Sequence, residues 1–368
     1  MKFVCEGMIL ADAAFTVVKA CATKTITPVL ECIKIKAQND VLTLTAYDGE
    51  ISIEKKIKVE VLDEGEVCVN GKFFSDFIGK ISFCDVVISA DEKGIAIRYG
   101  ESESYMQTLP ASDFPIITTD IEESKYFETS EKNFKQLISQ VVFCCATEDS
   151  RPILKGCLLE VKNQKLYASA LDGFRMACSN TDITSSGGDM KIVCPARTLN
   201  EISRMLGDDE TVKIYADRNR LLVSTKETTI TSRLYTGEFV KKENIFPLQF
   251  ETSVAVAKAS ILESVERASV LIRGDKNNLV VFDIKNGKMT ISANSEIGKI
   301  EESIDAEISG VEIKIAVNGK YMTDALKALK EEKIVLSFNS AIAPFTLENA
   351  EDKTDQYLIM PLRTSTSA

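Results

Sequence analysis

The sequence predicts an α+β protein of three repeated domains, each with two helices packed on antiparallel sheets. Three observations carry this reading. Short motifs recur at a fixed interval of 124 residues, and one amphipathic helix face recurs at the same interval. The stretches between are alternating runs rich in Val, Ile and Thr, broken by turn residues, as antiparallel hairpins require.

The interval is read from positions alone. "VNGKFF" begins at Val69 and "VNGKYM" at Val317, 248 residues apart, and the midpoint, Val193, opens "VCPARTL". Each leads into a helical pattern: "FFSDFIGKI", "LNEISRML" and "MTDALKAL". Asn70 and Asn318 stand where helix caps are expected. Asp48-Gly49 recurs as Asp172-Gly173, whereas the third copy, "ISANSEIGK", has lost this turn. In the first helix of each unit, Leu10, Ala14, Val17, Val18 and Cys21 map onto Phe134, Ile138, Val141, Val142 and Cys145. That spacing is one helix face. Ile261, Val265, Ala268 and Ile272 keep the face in the third unit after a small register change. A period this long means repeated domains, since solenoid repeats run about 20–50 residues. Runs such as "LECIKIKA" and "VLTLTAYDGEISIEKKIKVEV" supply the strands, and helices covering one face of the sheets is the natural packing. The prolines of "DFPII" (113–117) and "NIFPLQF" (244–250) interrupt the strand pattern at the joints. Domain limits are therefore placed at 1–125, 126–250 and 251–368.

Composition narrows the function classes. The chain has 368 residues, 45% hydrophobic and 27% charged, close to the soluble globular average. No run approaches the ~20 apolar residues of a membrane helix. Glu6 and Asp12 interrupt what would have to be a signal core, so a cytoplasmic location is expected. The ten cysteines are scattered without a C-x-x-C pair and read as small buried hydrophobes. There is no histidine, which removes Ser-His and Cys-His catalysis and the usual zinc ligand. A net charge of −11 argues against coating nucleic acid by bulk attraction, but not against a local basic surface.

Motifs that suggest chemistry are weak. "NGK" lacks the upstream glycine and following hydroxyl of a phosphate-binding loop. "GDDETV" (207–212) reads as a solvated turn rather than a metal site. Asp149, Asp172, Arg151 and Arg175 admit a carboxylate-dependent hydrolase, though Asp-Gly after a strand is first a hairpin turn. No cofactor or metal is expected. The second helices carry charge in register: Lys72 maps onto Lys320, Arg197 lies one residue past the middle equivalent, and Lys80 maps onto Arg204, with Lys327 and Lys330 nearby in the third copy. Basic pairs recurring in an acidic chain suggest a polyanion contacted through its backbone. A repeat-domain scaffold without DNA is the alternative that these pairs disfavour.

These features converge with a resemblance. "MKFVCEG", "TPVLECI", "RPILKG", "LDGFR", "NGKYMTDALKAL", "APFTLE" and the terminal "YLIMPLR" resemble, in order and spacing across essentially the whole chain, the bacterial sliding clamps, the beta subunit of DNA polymerase III. The resemblance implies a closed ring formed as a head-to-tail homodimer around double-stranded DNA. It further implies a processivity factor in DNA replication, without a catalytic site of its own. Its implied partners are the polymerase III alpha subunit, the clamp loader and other replication or repair proteins, bound through short peptide motifs.

The resemblance also assigns residues. Lys24, Lys72, Lys80, Arg197, Arg204 and Lys320 are the expected DNA-facing groups, Lys24 by resemblance and the others also by periodicity. The partner-peptide pocket would have an apolar part of Leu154, Leu171, Gly173, Met176, Pro247, Leu358 and Met360. A second part would use Phe174, Asn318, Tyr321, Ile342, Pro344, Pro361 and Leu362, with Arg151 and Arg363 at the rim. Phe174 stands where many relatives have histidine. Met106, Val270 and Leu271 are the expected apolar contacts of the dimer interface, on edges where Glu101 and Glu103 replace residues that are often basic in relatives.

Overall fold

The computed structural model describes residues 1–91, 94–118, 126–275 and 277–363. The first expected domain limit, at residue 125, and the polar tail after Arg363 lie outside them. Six helices occur among the described residues: α1 (Gly7–Val17), α2 (Gly71–Ile78), α3 (Glu131–Val141), α4 (Ala196–Met205), α5 (Lys258–Leu271) and α6 (Gly319–Ala328). They fall two to a repeat, and antiparallel strands make up most of the rest.

The helices bury the faces that periodicity marked. Leu10, Ala14 and Val17 of α1 are fully buried, as are Phe134, Ile138 and Val141 of α3, and Ile261, Val265 and Ala268 of α5. The expected face runs past the α-helix, however. Val18–Ala20 and Val142–Cys144 tighten into 3-10 turns, after which Cys21 and Cys145 are extended yet still buried. Adjacent valines (Val17-Val18, Val141-Val142) weaken helix propagation, and a 3-10 turn is a common way to end one.

Both expected asparagine caps are present. Asn70 Oδ1 accepts from Phe73 N and Asn318 Oδ1 from Tyr321 N, each at 3.1 Å. The expected basic face along each second helix needs correction. α2 ends at Ile78, and Lys80 sits in the turn beyond it, its N–H donating to Phe77 O at 2.9 Å. Glycine at 79 disfavours another helical turn. Arg204 lies within α4, but Lys330 lies past the end of α6. Lys72 and Lys80 therefore do not share one helix.

The chain folds into two compact units that cut across the three repeats. Unit 1 comprises Met1–Glu131 and Arg204–Leu234. It holds a five-stranded sheet in the order Glu60–Asp63, Lys2–Glu6, Asp85–Ala90, Ile95–Tyr99, Ser102–Met106. Its second sheet runs Thr108–Leu109, Gly65–Asn70, Cys32–Gln38, Val41–Tyr47 and Ile51–Lys58. That sheet then continues without a break into Thr228–Arg233, Arg220–Ser224, Thr211–Ala216 and Tyr126–Ser130 of the second repeat.

Unit 2 comprises Lys132–Ser203 and Tyr235–Ala368. Its nine-stranded sheet runs Met190–Pro195, Gly156–Lys162, Lys165–Leu171, Arg175–Asp182, then Gln356–Ile359, Phe345–Asn349, Lys333–Phe338, Thr252–Ala257 and Glu307–Gly310. A four-stranded sheet, Gly298–Asp305, Lys288–Ser295, Leu279–Lys285 and Ile313–Asn318, completes it. Each joint between repeats is thus a backbone ladder, Ile51–Lys58 with Thr228–Arg233 at the first and Arg175–Asp182 with Gln356–Ile359 at the second. The contiguous ladder explains why compactness follows the joints and not the repeats.

Candidate functional site

At the second joint, hydrophobic residues from four separate elements meet. Leu154 comes from the 3-10 turn Pro152–Lys155, Leu171 from the end of its strand, and Met176 and Leu358 from facing strands in direct register. With Leu158, Val193 and Phe239 they form one buried cluster. Phe246, immediately before the half-exposed Pro247, packs against it. The chain leaves the sheet where Pro361, lacking an N–H, cannot extend the ladder. Before that, Met360 N donates to Phe174 O, and after it Leu362 N donates to Ala316 O, both at 2.8 Å. The terminal run therefore stitches the Asp172 turn of the second repeat to the strand Ile313–Asn318 of the third.

That turn is fixed by its own side chain. Asp172 Oδ1 accepts from Phe174 N at 2.9 Å and Arg175 N at 3.0 Å, and Gly173 takes a positive φ of 94° that glycine adopts without strain. The turn holds Phe174 out in solvent, 59% exposed, beside the exposed Met360. Arg175 points the other way and is buried. Its Nε donates to Asp172 Oδ2 at 3.0 Å, its Nη1 to Asp324 Oδ2 at 2.6 Å and its Nη2 to Phe143 O at 2.8 Å. The guanidinium lies 4.4 Å from the Tyr321 ring centroid, at cation–π distance. Burial opposes this charge, but the bonds to Asp324 and Asp172 overcome it, so the guanidinium is held protonated beyond its ordinary value. Arg175 thereby fastens the second repeat's turn to α6 of the third.

The structure brings Leu154, Leu171, Met176 and Leu358 together as a floor, with Phe174 and Met360 bonded to each other at its edge, while Leu362 is bonded to Ala316. Tyr321 joins them through Arg175. Ile342 is exposed and Pro344 half-buried, just before Phe345, which pairs with Ile359. Pro361 is half-buried, while Arg151 and Arg363 are exposed. Asn318 is buried and its amide is occupied, accepting from Tyr321 N and donating to Asn277 O. Sequence reasoning missed Phe239 and Phe246 in the floor and the anchoring role of Arg175 and Asp324. The aromatic pair flanking the proline of "NIFPLQF" was the available signal for Phe246.

The two carboxylates of the hydrolase alternative are each engaged by a basic side chain. Asp149 is exposed and bound to Lys155 at 2.7 Å, a hydrogen bond that lowers its pKa, whereas Asp172 is spent on its own turn and on Arg175. Among the described residues no group of three His, Cys, Asp or Glu side chains gathers as metal ligands. No helix among them is long and apolar enough to cross a membrane.

Lys24, Lys72, Lys80, Arg197, Arg204 and Lys320 are all exposed. Lys327 lies 2.8 Å from Glu266 and Lys330 3.8 Å from Asp355. Met106 ends the edge strand Ser102–Met106 of unit 1, half-exposed. Val270 (63% exposed) and the half-buried Leu271 close α5 in unit 2, whose strand Gly298–Asp305 is likewise a sheet edge. The acidic residues of these edges are largely matched from within: Glu103 by Arg98 at 2.8 Å, Glu302 by Arg267 at 2.7 Å and Glu301 by Lys299 at 2.8 Å.

Residues 1–118, 128–241 and 243–363 match, in turn, the N-terminal, central and C-terminal domain families of the DNA polymerase III beta subunit. The beta sliding clamp of Bacillus subtilis is 33% identical over 378 aligned residues, covering 99% of this chain and all of that protein. The chain belongs to the bacterial sliding-clamp family. A crystal structure of the Bacillus subtilis DNA polymerase sliding clamp superposes with a TM-score of 0.93 at 32% identity, covering 99% of both chains. A sliding clamp from Pseudomonas aeruginosa, solved bound to griselimycin, is 25% identical with a TM-score of 0.91 over 99% of this chain and all of that one. The three clamp domain families fall one on each repeat, so the threefold repetition of motifs is the family's three-domain plan.

Proposed function

We propose that two copies of this chain close head to tail into a ring around duplex DNA and act as the sliding clamp of replication, tethering the polymerase for processive synthesis. The observation that carries this is the full-length match to sliding clamps by a chain whose three repeats are laced together by continuous sheets. Two three-domain chains give a pseudo-sixfold arrangement in which a heterologous interface closes on itself. The exposed edge strands, Ser102–Met106 with Met106 and Gly298–Asp305 beside Val270 and Leu271, are suited to that interface because an unpaired strand edge is a template for another chain.

Lys24, Lys72, Lys80, Arg197, Arg204 and Lys320 would contact phosphates without reading bases, which leaves the ring free to slide. The work is topological and needs no chemistry at the ring. The surface over Leu154, Leu171, Met176 and Leu358 would take short peptide motifs of the polymerase III alpha subunit, the clamp loader and repair proteins in the cytoplasm. Its apolar floor would desolvate side-chain anchors while the few polar groups at its rim fix the peptide backbone. The deciding experiment is retention after loading on circular against linear DNA. The protein should stay on circles and run off free ends; equal loss from both would refute the ring.

A further inference from the structure

We infer that Asn286 is a modification site, whose side-chain amide is lost to spontaneous attack by the Gly287 nitrogen, leaving aspartate and isoaspartate in the third repeat. Two internal comparisons single it out.

The first compares one turn in three repeats. Asn39-Asp40, Asn163-Gln164 and Asn286-Gly287 each close a hairpin in exposed positions, between the facing pairs Gln38 and Val41, Lys162 and Lys165, and Lys285 and Lys288. All three asparagines have a φ of 52°, and the residues after them have 57°, 59° and 72°. This is the two-residue hairpin turn that needs positive φ at both positions. The backbone is therefore shared, and the second side chain differs. Asp40 and Gln164 carry a Cβ beside the nitrogen that would attack. Gly287 carries none, and beyond its chain neighbours no atom lies within 4 Å of where one would stand. Neither the Asn286 side chain nor the Gly287 N–H makes a hydrogen bond among the described residues.

The second comparison keeps the dipeptide and changes its surroundings. Asn-Gly also occurs at Asn70-Gly71 and Asn318-Gly319. There the asparagine caps a helix, its Oδ1 accepting from Phe73 N or Tyr321 N at 3.1 Å, and the glycine is buried in the first turn. Gly319 N is further occupied by Asn278 O at 2.8 Å. Ring closure at either place would first have to break a cap and move a packed glycine. Asn286 alone of these five asparagines combines a bare following residue with an unrestrained amide.

The chemistry needs only water. Gly287 N bonds to Asn286 Cγ, the Cγ–Nδ2 bond breaks, and Nδ2 leaves as ammonia with the proton from Gly287 N. Water then opens the cyclic imide, at the main-chain carbonyl to give isoaspartate or at the side-chain carbonyl to give aspartate. Isoaspartate routes the main chain through Cγ and so inserts a methylene into a turn whose two residues keep Lys285 opposite Lys288. Both products add a negative charge.

The test ages the full-length protein in mildly alkaline heavy-oxygen water, which labels each imide as it opens. Peptide mapping, with fragmentation that separates isoaspartate from aspartate, then gives a rate for every asparagine. Asn286 should convert at least about ten-fold faster than Asn70 or Asn318, the rate equivalent of one cap hydrogen bond. In urea the three Asn-Gly pairs should converge. Gly287→Gln copies the turn of the second repeat, where Gln164 holds the same backbone, and should lower conversion at Asn286 to the level of Asn163. Native conversion of Asn286 no faster than that of Asn70 or Asn318, a difference that persists in urea, or indifference to Gly287→Gln would each overturn the assignment.

Discussion

Arg175 gives the sharpest energetic test of how the second joint is held. Arg175→Met keeps the stem's bulk and removes the guanidinium, leaving Asp172, Asp324 and the Phe143 carbonyl without their shared donor. Breaking a buried ion pair from one side costs about 3–5 kcal/mol. Asp324 is 27% exposed and regains some water when the arginine is lost, so the lower end of that range applies. A loss of about 3 kcal/mol lowers the melting temperature of a unit this size by roughly 6–12 °C, at 2–4 °C per kcal/mol. The chain has no tryptophan, so tyrosine fluorescence reports unfolding, and Tyr321 lies against the guanidinium itself. Urea titrations of wild type, Arg175→Met, Asp324→Asn and the double variant complete the cycle. Residues sharing one network couple by about 0.5–3 kcal/mol. A loss under about 1 kcal/mol for Arg175→Met, or strict additivity in the cycle, would show that Arg175 does not fasten the joint.

Three further outcomes follow from the same structure. Deleting Met360 onward removes the bonds to Phe174 and Ala316 and should abolish binding of a clamp-binding peptide, measured by fluorescence anisotropy, while the dimer persists in sedimentation. Unchanged affinity would place the pocket elsewhere. Asp355 is fully buried between Ser179, Gln140 and Lys330, and burial raises its pKa. From the ordinary aspartate value of about 3.9 up to that raised value, the unfolded chain releases its proton first. Stability from this group therefore falls as pH rises through the window, and wild type should lose ground to Asp355→Asn there; a constant difference between pH 4 and 7 in urea titrations would refute this. All ten cysteines are free and only Cys84 is not buried. A thiol reagent should label Cys84 first in the native protein, read by peptide mass mapping. Faster labelling of Cys21, whose thiol burial pushes up to about 12, would contradict the packing.

What was legible in the sequence was local or periodic. The helix faces, the asparagine caps and the Asp-Gly turns each depend on residues within a few positions of one another, and the repeat interval multiplied each signal. Even there, short-range sterics at Val17-Val18 and Gly79 ended helices earlier than periodicity suggested. The floor of the candidate site was named through a resemblance, since nothing local announces that Met176 will face Leu358. The Arg175–Asp324 pair spans 149 positions and has no sequence signature.

The strand Gln356–Ile359 sits in the interior of its nine-stranded sheet, between Arg175–Asp182 and Phe345–Asn349. Its residue Gln356 pairs with Cys178, so during synthesis the partner strand is made 178 residues ahead of it. At about 5–20 residues per second, that is a wait of roughly 9–36 seconds. Throughout it, Arg175–Asp182 has an open edge and Met176 lacks its facing leucine. The first joint waits as long, since Ile230 follows its partner Ile53 by 177 residues, but unit 1 has its strands once Leu234 is made. A newborn chain therefore passes through a period in which one half is finished and the other is adhesive. That interval, rather than the mature protein, is when a chaperone has the most to protect.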